Sequence, residues 1–282
     1  MSDFDRNTMN NNKNDPSSNE PNDSLPEHSQ NMPSTAGDFS GGFDADLASM
    51  VASSRQIAHM AEPTILSARE LDIHNVIHPA MEDQDTLNRF RELRTKLLKP
   101  NQRQARHGNS ITLVTSVVPN GGSSHIALNL AAAFALDESK TSLIIDCNLK
   151  DSILHERVFL EPECGLTDFL RGDVTGLDSI IYATGIVRLR MIPVGNHGNM
   201  AAEFFTSPRM RAFLDVVKRR YPDRHIFIDA PAVNTSADAR ILASLCDRAL
   251  LVVPYGRTVK SQLEAAVDAI GEEKLAGVVL NN

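Results

Sequence analysis

The run ITLVTSVVPNGGSSHIALNLA, from Ile111 to Ala131, limits what this chain can fold into more than any other stretch. Ile111, Leu113 and Val114 are the β-branched and apolar residues of a buried strand. Pro119, Asn120, Gly121 and Gly122 break it. Apolar residues then recur at Ile126, Leu130 and Phe134, the spacing of a helix. A strand that turns through glycines into a helix aims unpaired backbone N–H groups, at the positive end of the helix dipole, into one small space. Such a space suits phosphate.

Beyond this junction strand and helix patterns alternate. The sequence predicts strands over Ser142–Asn148, Leu189–Val194, His225–Pro231, Ala249–Pro254 and Ala276–Asn281. It predicts helices over Ser123–Leu136, Pro208–Tyr221, Ala237–Leu245 and Ser261–Ile270, with short helical pieces near Ile153–Phe159, Leu166–Leu170 and Leu177–Tyr182. Continuous aliphatic strands separated by helices imply an α/β fold, a doubly wound and mostly parallel sheet covered on both faces.

Three regions precede or contain this pattern. Residues 1–43 are rich in Asn, Ser, Pro and Gly, with almost no aliphatic side chains, and read as a disordered tail. Residues 44–108 form a helical lead-in and linker, and residues 109–282 the α/β domain. In the lead-in, Leu47, Met50, Val51, Ile57 and Met60 mark one helical face over Asp46–Ala61. That helix either docks a partner or lies on its own domain. A second amphipathic helix, Leu87–Leu98, is basic through Arg89, Arg91, Arg94 and Lys96 and ends at Pro100. His59, His74 and His78 have no metal-ligand spacing.

The 282 residues carry a formal net charge of −8, which argues against nucleic acid as the main partner. Three cysteines, Cys147, Cys164 and Cys246, give no disulfide framework and fit a reducing compartment. No apolar run reaches the ~20 residues of a spanning helix. The expectation is a cytoplasmic protein, peripheral at the inner membrane only through a partner.

In a doubly wound sheet, ligands bind beyond the carboxyl ends of the strands. Three strand ends carry suitable groups: the glycine loop, Asp146 and Asp229. A carboxylate after four apolar residues is costly to bury unpaired, and a divalent cation compensates it. Ser124 opens the helix, where a hydroxyl either ligates Mg²⁺ or caps the helix.

The chain resembles the bacterial tyrosine autokinases of exopolysaccharide and capsule loci, a branch of the P-loop ATPase group that also holds the division and partition ATPases. The likeness rests on RFRELRTKLL, VTSVVPNGGSS, ALNLAAAFA, LIIDCNLKDSILH, GLTDFLRG, IPVG, IFIDAPAV and GVVLN, in that order. It is most similar to the separately encoded cytoplasmic form. The resemblance implies ATP and Mg²⁺ as ligands and a transmembrane chain-length or export protein as partner. It implies phosphate binding by Asn120, Gly121, Gly122, Ser123 and Ser124, and adenine contact by Asn281. It implies metal binding by Ser124, Asp146 and Asp229, with Asp146 also the proton acceptor.

The sequence departs from the family at telling places. Ser123 stands where the family has the phosphate-loop lysine, and Asn148 replaces an acidic residue. A lysine there follows charge as it develops on the phosphates, which serine cannot do. Lys150 is the nearest replacement in the motif. The family phosphorylates a C-terminal tyrosine cluster; here there are only Tyr182, Tyr221 and Tyr255, none near the end, which implies that a tail-based cycle does not operate. In the family's interface helix an acidic residue precedes two arginines. Asn88 takes the acidic position while Arg91 and Arg94 remain as candidate homo-oligomer contacts. Three readings follow: a degenerate kinase-like regulator, an active ATP-dependent tyrosine kinase acting on a partner protein, and a partition- or division-type ATPase.

Overall fold

The computed structural model describes residues 64–99, 110–138, 140–196, 201–221 and 224–282. The expected tail, the helix at Asp46–Ala61, His59, Pro100 and the linker up to residue 108 lie outside the described residues.

Helix α1 (Ala68–Ile73) begins at Ser67, whose hydroxyl accepts from the Glu70 amide while the Glu70 carboxylate accepts from the Ser67 amide. This reciprocal cap is written in the sequence as Ser67-Ala68-Arg69-Glu70, a signal the periodicity reading passed over. Helix α2 (Gln84–Leu98) is capped by Asp83 and buries Leu87, Phe90 and Leu97. It starts a turn earlier than apolar spacing alone suggests, because the Asp83 cap sets the boundary.

The sheet order is β3-β4-β2-β5-β1-β6-β7. Its strands are β1 (Ile111–Ser116), β2 (Thr141–Asp146), β3 (Tyr182–Ala183), β4 (Leu189–Ile192), β5 (Arg224–Asp229), β6 (Arg248–Pro254) and β7 (Leu275–Asn281). All neighbours pair in parallel except β3 with β4. The edge strand β3 corrects one expectation. The stretch Leu177–Tyr182 is not a helix throughout. A short 3₁₀ turn ends at Ser179, and Tyr182 and Ala183 then pair antiparallel with Met191 and Arg190.

Side chains alternate between two cores, one on each face. Ile111 and Leu113 of β1 point into one, with Leu143, Ile145, Ile226 and Ile228. Val114 points into the other, with Ile144, Phe227 and Leu250. Helix α3 (Ser123–Ala135) lies over this second face and under α2, so it is buried almost all round. After its first turn its sequence is therefore apolar on nearly every side, with Asn129 the one polar residue, bonded to the Ile77 amide and the Asn75 carbonyl. The first face is covered by α6 (Ala201–Thr206), α7 (Pro208–Arg220), α8 (Ala237–Leu245) and α9 (Lys260–Ile270).

The connections reverse direction at β1. From β1 the chain crosses through α3 to β2 on one side; from β5 it crosses through α8 to β6 on the other. The crevice between diverging connections opens at the carboxyl ends of β1, β2 and β5. Short helices α4 (Leu154–Arg157) and α5 (Leu166–Arg171) follow β2 and wall one end of it. The GLTDFLRG segment is braced by Asp168, which accepts from the Gly165 and Asn196 amides and from Arg171. At Gly165 a β-carbon would lie 2.3 Å from the Pro193 carbonyl oxygen, so only glycine permits this approach.

Candidate nucleotide site

The loop between β1 and α3 stands open over a cleft of about 510 Å³. Residues 119–125 form its near wall, with Asn148, Lys150, Asp151, Ile153 and Arg157 opposite, and Pro231, Ala232, Thr235 and Ser236 on a third side. Five expected residues, Asn120, Gly121, Gly122, Ser123 and Ser124, therefore line one cavity.

The turn needs its glycines. Gly122 has φ +87°, and a β-carbon there would fall 2.2 Å from Asn281 Nδ2. Asn281 is used structurally: its amide donates to the Gly121 carbonyl at 3.1 Å. It lies on the far side of the loop and is absent from the cleft lining. Arg257 holds the loop from outside, donating to the carbonyls of Asn120 and Pro119 at 2.9 and 3.1 Å. Nothing in the sequence pattern announces that contact, which joins residues about 137 positions apart. Arg257 and Asn281 together therefore take up three loop carbonyls, those of Pro119, Asn120 and Gly121.

Ser123 is almost fully buried, and its hydroxyl is directed at the Ala230 carbonyl, 3.5 Å away. It offers no charge to the cleft. Asn148 is spent on its own turn: its amide N–H donates to Asp146 Oδ1 and its side-chain oxygen accepts from the Asp151 amide.

Beneath the loop lie two carboxylates. Asp146 and Asp229 end β2 and β5 and are paired in register, with exposures of 0% and 1%. Asp146 accepts from the Asn148 amide at 2.9 Å and from the Ser152 hydroxyl at 2.8 Å. Neither oxygen of Asp229 has a hydrogen-bond donor in good geometry among the described residues. Burial, and then the charge of Asp146, hold the Asp229 carboxyl well above the usual range; the nearby Ser124 hydroxyl pulls the other way and loses. Orphaned carboxylate oxygens beside a second carboxylate and a hydroxyl fit a hard divalent cation. Ser124, Asp146 and Asp229 are the residues that would hold it, directly or through water.

Among the described residues two cations face the cleft. Lys150 is exposed, and Arg157 is half-buried at the end of α4. Arg157 donates to the His74 carbonyl at 3.2 Å, while its Nε is buried without a partner among the described residues. Its charge also reaches the first turn of α3: His125 is held below its ordinary pKa, first by burial and then by Arg157. Arg157 escaped sequence reasoning because no motif position marks it.

Arg91 and Arg94, the expected oligomer contacts, lie on α2, away from the cleft lining. Arg94 donates to the Ala133 carbonyl at 2.7 Å, satisfying an open group in the last turn of α3. Arg91 bonds Asn88 at 3.2 Å.

No family model matches the chain. A tyrosine-protein kinase of Bacillus subtilis (strain 168), YwqD, is 32% identical over 212 residues, which cover 73% of this chain and 85% of that protein. The chain belongs to the bacterial tyrosine-protein kinase family. A second family relative, the kinase EpsB assigned to Ralstonia nicotianae, is 26% identical over 71% of this chain, but the match spans only 26% of that longer protein. Among solved structures, the chimerical protein CapA2B2 superposes with a TM-score of 0.64 at 28% identity, covering 77% of this chain and 91% of that one. The family fold accounts for the glycine turn after β1 and the parallel sheet around it. No helix among the described residues is long and apolar enough to cross a membrane.

Proposed function

We propose that this kinase-family chain binds a nucleoside phosphate with Mg²⁺ and acts as a regulator of exopolysaccharide production, with phosphoryl transfer weakened or lost. A transmembrane chain-length or export protein is the partner this reading names. The observation that carries it is the loop itself. A glycine turn remains open over a cleft, with a metal-ready carboxylate pair below, while Ser123 directs its hydroxyl at a backbone carbonyl where the family places a lysine.

In this reading the N–H groups of residues 121–124 bind phosphate oxygens. Ser124, Asp146 and Asp229 hold the cation, which supplies charge neutralisation when bound. Asp146, anchored by Asn148 and Ser152, is also the group placed to take a proton. Binding tolerates loss of the loop lysine because the backbone donors persist. Transfer tolerates it poorly, because stabilisation is needed where charge develops.

The test is calorimetric titration with ADP and ATP in Mg²⁺ buffer, together with turnover measurements. Binding with turnover far below that of an active family kinase is expected. Family-typical turnover that disappears in Asp146→Ala would instead establish the active kinase. The partition-type reading gains nothing from the acidic balance of the chain; stimulation of ATP turnover by DNA would be its signature.

A further inference from the structure

The charge missing from the loop has a source elsewhere in the cleft. We infer that Arg157, assisted by Lys150, is the phosphate-binding cation of this site, standing in from the opposite wall for the lysine that Ser123 replaces. The inference rests on the nucleotide reading above and names the residues that complete it.

Four observations converge on Arg157. It lines the same cleft as the glycine turn. One guanidinium nitrogen is anchored on the His74 carbonyl, which fixes the side chain without neutralising it. Its Nε is buried with no acceptor among the described residues, an arrangement a buried donor does not keep without a partner in the working state. No carboxylate forms an ion pair with it among the described residues, so its charge is available to a ligand.

Lys150 lies on the turn after β2, between Asn148 and α4, and borders the same cavity. It also makes no ion pair among the described residues. The two differ in kind. Lys150 is an exposed point charge. Arg157 is a half-buried planar fork suited to bidentate contact with phosphate oxygens. Arg157 therefore carries the larger share.

The substituted loop and the free arginine explain each other. A lysine at position 123 would extend from the helix start toward the same phosphates. With serine there, a cation from the far wall can approach them without like-charge repulsion. The ligand class is one with at least two phosphates, since the loop and the arginine wall face each other across the cleft.

The experiment measures affinity for ADP, ATP and adenosine by calorimetry in Mg²⁺ buffer for wild type, Arg157→Gln, Arg157→Lys, Lys150→Gln and Ser123→Lys/Arg157→Gln. The expected result is a loss of about ten-fold or more in ADP and ATP affinity for Arg157→Gln, as for one charge-assisted bond. Adenosine affinity should not change. Arg157→Lys should keep most of the ADP affinity, Lys150→Gln should lose only a few-fold, and the double variant should recover what Arg157→Gln lost. The slope of affinity against salt should fall in Arg157→Gln. Unchanged ADP affinity in Arg157→Gln overturns the assignment, and so does an equal loss for ADP and adenosine, which would mean a purely architectural role through His74. Wild type that binds none of the ligands removes the nucleotide reading itself, and this inference with it.

Discussion

Replacing Asp229 by asparagine should make the ligand-free protein more stable at neutral pH, although it removes a residue from the centre of the site. Asp229 and Asp146 are register partners on adjacent strands, both almost completely buried, and the oxygens of Asp229 lack donors in good geometry among the described residues. Neighbouring strands lie ~4.8 Å apart. Two unit charges about 5 Å apart repel by about 3 kcal/mol at an effective dielectric of about 20. Retaining a proton on Asp229 relieves part of this, and the asparagine amide must itself be buried. A net gain of about 1–2 kcal/mol is expected, or roughly 2–8 °C in Tm for a domain of this size.

The pH dependence separates this cause from simple repacking. In the unfolded chain the carboxyl titrates near 3.9. In the folded chain burial and Asp146 keep its proton to higher pH. As pH rises past about 4, the unfolded state loses the proton first, so wild-type stability falls until the folded group also ionises. Asparagine has no such proton. The advantage of the variant should therefore be small below about pH 4 and grow above it. Thermal unfolding followed by circular dichroism across pH provides the measurement. A variant that is less stable at pH 8, or a difference of constant size at every pH, would refute the reasoning. Added Mg²⁺ should raise the Tm of wild type more than that of the variant.

Other substitutions probe the loop and its supports. Gly122→Ala combines positive φ with a clash against Asn281 and should cost about 1–3 kcal/mol in urea unfolding; truncating Asn281 in addition should relieve only the clash. Arg257→Ala removes two bonds to loop carbonyls, so hydrogen exchange across residues 117–124 should quicken while Tm changes little, since the side chain is exposed. Arg94→Ala opens the Ala133 carbonyl and should cost about 1 kcal/mol of stability. Ser123→Lys in the wild-type background should raise ATP affinity and salt sensitivity together, checked by calorimetry at two salt concentrations.

The order of strands and helices was legible because each element carries a local signature. Continuous aliphatic strands, a Ser236 cap before Ala237 and a Ser207–Pro208 start leave little freedom at those boundaries. The glycine loop was legible for the same reason, since positive φ at Gly122 is a backbone requirement met by residue type. The short edge strand β3 was not, because two residues have no periodicity to read.

What the residues alone determined is the local chemistry: a turn that needs glycine, strands that need burial on both faces, and a carboxylate at the end of each of two of those strands. Only the packed structure decided who meets whom. It placed Asp146 beside Asp229, turned Asn281 onto the loop, used Arg94 to close α3 and set Arg157 across the cleft from Ser123. Partners far apart in the chain leave no mark on local pattern, because their energies depend on distance and burial, which exist only once the two faces of the sheet have been covered.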